Sequence, residues 1–147
     1  MHDLKPVSFV VPGEPMGKGR PRVGTIAGRA RMFTPAKTAN YEGLIATVGS
    51  AAMAGRELIA GPVMVEMHIT LPVPASWSKK KQAAALLGEV MPTKKPDADN
   101  VVKAIFDGLN AVVWKDDVQV VDAFVRKRFG STPGVAVRVV PLVGACS

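Results

Sequence analysis

The chain has 147 residues, of which 48% are hydrophobic and 5% aromatic, and its formal net charge is +7. This length and composition predict one folded domain over residues 1–147, and the single cysteine excludes a disulfide-stabilised scaffold. The excess of cations favours a polyanionic partner, and nucleic acid is the commonest one. No apolar run approaches the ~20 residues of a membrane helix and the N-terminus does not resemble a signal peptide, so we expect a cytoplasmic protein without a membrane partner.

The first half of the chain predicts two strands and a helix. A short apolar run over residues 7–11 is typical of a buried strand, and the glycine-rich, proline-rich and basic segment 13–33 that follows indicates a loop. Thr34-Pro35 is a typical N-cap and N1 pair for a helix that would end at Gly55. Apolar residues then alternate over residues 62–71, which predicts a half-buried strand.

The second half predicts two further helices and two further strands. Ser78 can cap a helix that begins with three lysines, and a helix with one apolar face is expected over about residues 99–110. Strands are predicted over residues 118–129 and 135–143, separated by turn residues. Because strands and helices are interspersed without a regular βαβ repeat, we expect a compact α+β fold with helices packed on a mixed β-sheet.

Many of the few carboxylates of this basic chain lie close together in its second half. Asp97 and Asp99 are separated by one residue, so an extended backbone would place both on one side, with Cα atoms about 6.6 Å apart. Asp99 could also serve as the N-cap of the helix that follows. If residues 111–117 are extended, either Asp116 or Asp117 can return to the same place; strand alternation allows only one of them to face it, and spacing does not say which.

Lys103 lies four residues after Asp99, on the same helical face. It is either a surface salt-bridge partner or a cation that stabilises charge on a phosphate. Asp107, one turn further on, is interpreted as structural. Carboxylate ligands without His or Cys favour Mg²⁺ or Mn²⁺ over zinc, and such ions support phosphodiester hydrolysis. An Asp-x-Asp pair alone is weak evidence, because such pairs often form turns and caps.

The segment KKPDADNVVKAIFDGLNAVVWKDDVQVVDAFVRKRFG resembles the signature region of the RusA family of Holliday-junction resolvases. The shared pattern is Pro-Asp-x-Asp-Asn, Lys, Asp-x-Leu, and an aromatic residue before Asp-Asp-x-Gln-Val. VVPGEPMGKGRPR and SWSKKKQAAALLGEVMPTKKPD are also similar to the family, so the resemblance covers most of the chain. It implies a RusA-like fold and a metal-dependent crossover junction endodeoxyribonuclease. Such an enzyme resolves four-way DNA junctions by paired symmetric nicking in recombination and repair, and is encoded by a bacterium or a phage.

Carried over position by position, the resemblance implies that Asp97, Asp99 and Asp117 hold Mg²⁺, or Mn²⁺, and that Lys103 is the catalytic lysine. It is the resemblance that selects Asp117 over Asp116. It also implies a homodimer, which can place two active sites on symmetry-related strands of a junction. Five basic residues outside the cluster are predicted to contact DNA: Lys18, Arg20, Arg22, Lys94 and Lys95.

Two other functions remain open from the sequence. One is a non-catalytic DNA-binding protein whose acidic cluster is structural, and the other is a related metal nuclease that cuts flaps or replication forks. Trp77 and Trp114 flank the acidic cluster, and Trp114 is expected to pack inside the protein rather than stack on a base.

Overall fold

The computed structural model describes residues 4–19, 22–26, 29–33 and 36–143, with only the backbone described in the two short segments. In this part of the chain the elements run in the order β1 (Val7–Pro12), β2 (Arg22–Ile26), β3 (Arg29–Phe33), α1 (Ala36–Met53), β4 (Val63–Leu71), α2 (Lys79–Leu86), α3 (Ala98–Leu109), a 3-10 helix (Asp117–Gln119), β5 (Val120–Phe129) and β6 (Gly134–Pro141). None of the helices in these ranges is long and apolar enough to cross a membrane.

One mixed sheet organises the fold. Its strand order is β1-β6-β4-β5, in which β1, β6 and β4 pair antiparallel and β5 runs parallel to β4. The alternation predicted for residues 62–71 is present in β4, where every second residue from Val63 to Leu71 is buried. The parallel pair needs a long connection, and α2 and α3 lie within it. The prediction of an α+β fold with a mixed sheet is therefore confirmed.

The core lies between one face of the sheet and helices α1 and α3. The two helices meet at glycines: a Cβ on Gly108 would lie 2.7 Å from Ile45 Cγ2, and one on Gly49 would lie 2.8 Å from Leu109 Cδ2. Side-chain carbons do not approach so closely in a packed interior, so the contact requires glycine at position 108, whereas at position 49 the flexible end of Leu109 would have to move. This close contact fixes α3, and with it the acidic residues of its first turn, against the rest of the protein.

Two predictions of local structure are wrong. The segment predicted as a basic loop contains the antiparallel hairpin β2–β3, which forms a separate two-stranded sheet. Residues 111–117 are not extended, because Ala111 has a φ of 63° and its N–H donates to the carbonyl of Trp114 in a turn. A 3-10 helix then occupies the predicted start of β5. The Thr34-Pro35 cap lies outside the described residues, and the other predicted elements are present with small differences at their ends.

Candidate functional site

A pocket of about 410 Å³ opens between α3 and the start of β5. Asp99 and Lys103 line it from α3, and Asp117 lines it from the 3-10 helix. Asp107 and Asp122 also border it, so the pocket gathers four acidic residues around one lysine. The structure thus brings three of the predicted site residues, from distant parts of the sequence, to one surface.

Asp97 lies outside this pocket and lines a neighbouring cavity of about 360 Å³ together with Lys95 and Asn100. It is the N-cap residue of α3, with φ −68° and ψ 140°, and its carboxylate makes no capping hydrogen bond. The predicted N-cap role of Asp99 is therefore wrong, because helical geometry already begins at Ala98, which has a high helix propensity. Asp99 stands instead in the first turn, where the helix dipole favours a negative charge.

The acidic residues are chemically suited to a hard cation but do not form a closed ligand cage. Among the described residues, no three Asp, Glu, His or Cys side chains are close enough together to hold a metal ion. The available donors are carboxylate oxygens, which Mg²⁺ and Mn²⁺ prefer, and Mg²⁺ commonly keeps several waters and binds through only one or two carboxylates. Asp99 and Asp117 lining one pocket fit that mode of binding.

Asp107 already has a structural partner. Lys18 Nζ pairs with the carboxylate of Asp107 and with Glu42 at 3.3 Å, and the Lys18 backbone N–H donates to the carbonyl of Asn100 at 3.0 Å. The hydrogen bond to Asp107, with a further contribution from Glu42, raises the pKa of the Lys18 ammonium. Lys18 thus fastens the segment after β1 to both α1 and α3. A phosphate contact by Lys18, as predicted, would have to form beside these two ion pairs or replace one of them.

The adjacent residues Asp116 and Asp117 have different surroundings. The Asp116 carboxylate caps the 3-10 helix by accepting the N–H of Val118 at 3.3 Å. In the ranges that the structure describes, the carboxylate of Asp117 accepts no hydrogen bond and forms no ion pair. Asp117 also lines the acidic pocket, whereas Asp116 does not. The alternatives left open by residue spacing are therefore distinguished by the cap: Asp116 has a structural role, and Asp117 is available.

Lys103 is exposed on α3. The surface salt bridge with Asp99, four residues earlier, is not formed, and no other ion pair of Lys103 occurs in the described part of the chain. Its ammonium lines the same pocket as Asp99 and Asp117. The lysine therefore remains available to a ligand of that pocket.

Gln119 supports the Asp117 turn, a role that the sequence analysis missed. Its side-chain oxygen accepts the N–H groups of Lys115 and Asp116 at 3.0 and 3.1 Å. Its side-chain nitrogen donates to the carbonyls of Ile59 and Gly61 at 2.7 and 3.0 Å. The available signal was Gln three residues after a capping Asp, which is the spacing of a capping box.

Lys127 supports the other acidic segment. Its Nζ donates to the carbonyls of Lys94 and Pro96 at 3.0 and 3.1 Å, directly before Asp97. This ties the approach to α3 to strand β5. No local pattern could have revealed this contact, because it joins residues more than thirty positions apart.

Trp114 packs against the C-terminal part of α3. It is fully buried, its Nε1 donates to Asn110 Oδ1 at 2.7 Å, and its ring meets that of Phe106 edge-on. The prediction that Trp114 packs inside the protein is confirmed.

Of the other predicted DNA contacts, Lys94 and Lys95 are exposed, Arg22 opens β2 and is described by its backbone only, and Arg20 lies outside the described residues.

Comparison with known proteins places this site in a family. The family model described as Endodeoxyribonuclease RusA matches residues 12–140, a range that includes the whole acidic pocket. The chain belongs to the RusA family. It is also 40% identical over 135 residues to the uncharacterized protein YqaN of Bacillus subtilis (strain 168), with 90% of this chain and 94% of YqaN covered. The RusA resemblance drawn from the Asp, Lys and Gln pattern is therefore confirmed.

Proposed function

We propose that this RusA family member is a Mg²⁺-dependent endonuclease that resolves four-way DNA junctions by paired symmetric nicking in recombination and repair, with Mn²⁺ as an alternative ion. The observation that carries the proposal is the pocket shared by Asp99, Asp117 and Lys103, in a chain that matches the family over residues 12–140. Because the substrate is chromosomal or phage DNA, we infer that the enzyme acts in the bacterial cytoplasm.

Asp99 and Asp117 would hold the ion, with Asp97 as a further ligand from the residue that precedes α3. When bound, the ion lowers the pKa of a coordinated water and neutralises charge on the phosphate. The carboxylates of all three residues are free of other partners in the described structure, so a cation could bind them without breaking any contact. Lys103 would donate to the phosphate oxygen on which negative charge develops.

DNA would approach over the basic residues that adjoin this pocket. Lys94 and Lys95 are exposed immediately before the Asp97 segment, and Lys95 lines the same cavity as Asp97. The β2–β3 hairpin, which begins at Arg22, would carry further phosphate contacts. Binding of this kind releases counterions and should weaken steeply as salt concentration rises.

We propose that the homodimer forms through β5, the edge strand next to the pocket. Among the described residues β5 pairs with β4 alone, which leaves its outer backbone groups free for a second copy. Large apolar side chains are exposed along this strand and the preceding 3-10 helix: Val118, Val121, Phe124 and Val125. A two-fold substrate requires two active sites, and this edge would hold them close together. Phe124→Asp should convert a dimer to a monomer in sedimentation velocity, and an unchanged dimer would exclude this interface.

A non-catalytic junction-binding protein is the second candidate. It is favoured by the absence, among the described residues, of three acidic side chains arranged to hold a metal ion. It predicts salt-sensitive DNA binding that does not depend on metal and no cleavage. A nuclease specific for flaps or forks is a third, and differs from the first only in its preferred substrate.

The deciding experiment incubates the protein with a synthetic four-way junction, a flap and a linear duplex, each with Mg²⁺ or with EDTA. We expect paired nicks in the junction with Mg²⁺ and none with EDTA. Binding of the junction without cleavage in either condition would leave the non-catalytic candidate, and faster cleavage of the flap would support the third.

A matched pair of substitutions tests the site itself. Asp117→Asn should abolish cleavage and leave junction binding intact, because binding depends mainly on phosphate contacts. Asp116→Asn removes the same charge one residue away, and Asn also caps helices well, so this variant should remain active. An Asp117→Asn variant that cleaves as fast as an active Asp116→Asn variant would show that Asp117 holds no metal.

A further inference from the structure

A third cavity, of about 630 Å³, adjoins the cavity that Asp97 lines. It is formed by the connection between β4 and α2, by α2 itself, and by the approach to α3. At one end it reaches Lys95 and Pro96, the two residues that precede Asp97. A ligand in this cavity, here called the Trp77 groove, would therefore lie next to the proposed cleavage site.

The walls of the Trp77 groove are apolar and partly aromatic. Trp77 is partly exposed, and its ring meets that of Phe129 nearly edge-on, with centroids 5.3 Å apart. Gln82 Nε2 donates to the carbonyl of Trp77 at 2.8 Å, and this hydrogen bond ties the backbone of Trp77 to α2, in which Gln82 lies. The remaining apolar lining comes mainly from proline, valine and methionine: Leu71, Pro72, Val73, Pro74, Val90, Met91 and Pro92.

Lysines surround this apolar surface. Lys81, Lys94 and Lys95 line the groove, whereas Glu14 is its only acidic lining residue in the described structure. Lys81 Nζ lies 4.0 Å from the centroid of the Trp77 ring, so a cation already occupies the vicinity of the aromatic face. A planar ring with a phosphate attached matches both features, because bases stack on aromatic side chains and phosphates bind ammonium groups. An uncharged apolar peptide would use the walls and leave the three cations without partners.

We propose that the Trp77 groove binds an unstacked nucleobase of the DNA strand that enters the acidic pocket. The base stacks on Trp77 in place of the Lys81 ammonium, which turns to the phosphate of the same nucleotide. Lys94 and Lys95 hold the next phosphate towards Asp97. The inference rests on the DNA binding of the proposed function but not on cleavage. It gives the enzyme a preference for strands whose bases are already unpaired, as they are at a branch point.

The test uses tryptophan emission in EDTA, where no cleavage can occur. The chain has 2 tryptophans and Trp114 is fully buried, so a change in emission on binding reports Trp77. The probes are a thymidylate strand of about eight nucleotides, within the usual site size of a single-strand groove, and an abasic strand with the same phosphates. We expect quenching by thymidylate but not by the abasic strand, and about tenfold weaker binding of the abasic strand.

Substitutions identify the residues responsible. Trp77→Ala should remove the difference between the two strands in an anisotropy assay, and Trp77→Phe should keep most of it. Lys81→Ala should weaken thymidylate binding more than Lys80→Ala, which removes the same charge from the same helix outside the groove. Equal affinity of the wild-type protein for the two strands would overturn the proposal without any variant having to fold.

The result is separable from that of the cleavage assay. Junction cleavage without base-dependent quenching would refute the groove and leave the proposed function intact. Base-dependent quenching in a protein that never cleaves would support the groove and refute the nuclease.

Discussion

Replacement of Gln119 tests whether the Asp117 turn is held by this one side chain. Gln119→Ala removes two hydrogen bonds to the carbonyls of Ile59 and Gly61 and two from the N–H groups of Lys115 and Asp116. The last two donors lie in an exposed segment, where water can replace the amide. At about 1 kcal/mol for each hydrogen bond, and a larger cost for a buried carbonyl left without a donor, the expected destabilisation is about 2–3 kcal/mol.

The effect on catalysis should exceed the effect on DNA binding. A displacement of the Asp117 carboxylate by about 1 Å can lower the rate about 100-fold, whereas phosphate contacts elsewhere are unaffected. Urea unfolding measures the stability. Single-turnover cleavage of the junction measures the rate, and a parallel binding assay measures the affinity for DNA. Lys115→Ala is the matched control, because it keeps the backbone N–H that Gln119 accepts. A Gln119→Ala protein with the wild-type urea midpoint and cleavage rate would refute the reasoning.

Three further predictions concern packing, positioning and charge. Gly108→Ala should lower the free energy of unfolding by about 1–3 kcal/mol, because its methyl would overlap Ile45; urea unfolding measures this. Lys127→Met should slow junction cleavage roughly tenfold or more, with a smaller change in junction affinity, because two carbonyls before Asp97 lose their donor. Asp99→Asn should leave stability within about 1 kcal/mol of wild type while cleavage is lost, because this carboxylate has no side-chain partner in the described residues and loses only its interaction with the helix dipole.

Each of these predictions has a control in the chain. Gly43→Ala adds the same methyl to α1 where nothing lies within 4 Å, and should be neutral or stabilising. Lys127→Arg retains a donor, and should recover part of the cleavage rate. Asp107→Asn breaks the ion pair with Lys18, and should therefore destabilise more than Asp99→Asn. If Gly43→Ala destabilised the protein more than Gly108→Ala, or Asp99→Asn more than Asp107→Asn, the corresponding contact would be contradicted. The same holds if Lys127→Arg cleaved more slowly than Lys127→Met.

The sheet and the main helices could be predicted from the sequence because their burial is periodic. β4 buries every second residue, and α3 buries Val101, Ile105 and Leu109 at helical spacing. The β2–β3 hairpin was missed because the glycines within it and the prolines before it resemble those of a loop, and in the described part of the chain it forms a separate two-stranded sheet. The turn at Ala111 depends on a left-handed residue that is not glycine, and composition does not indicate such a turn.

The candidate site was predictable in its chemistry but not in its arrangement. The spacing of Asp99 and Lys103 on one helical face placed both in the acidic pocket. The choice between Asp116 and Asp117 rested on family resemblance, because residue spacing did not say which of them faces the site. Strand alternation does not apply there, since Asp117 begins a 3-10 helix. The capping-box spacing of Asp116 and Gln119 was a signal in the sequence that could have assigned Asp116 a structural role. The structure places Asp97 in a neighbouring cavity, which the reasoning from an extended Asp-x-Asp pair did not anticipate.

The fold holds the acidic residues in place through their neighbours rather than through their own side chains. Gln119 fixes the backbone beside Asp117, and Lys127 fixes the backbone before Asp97. Had the carboxylates made these contacts themselves, a metal ion would have to break a hydrogen bond or an ion pair for every ligand gained. The supporting residues are neutral or cationic and can remain in place when an ion binds.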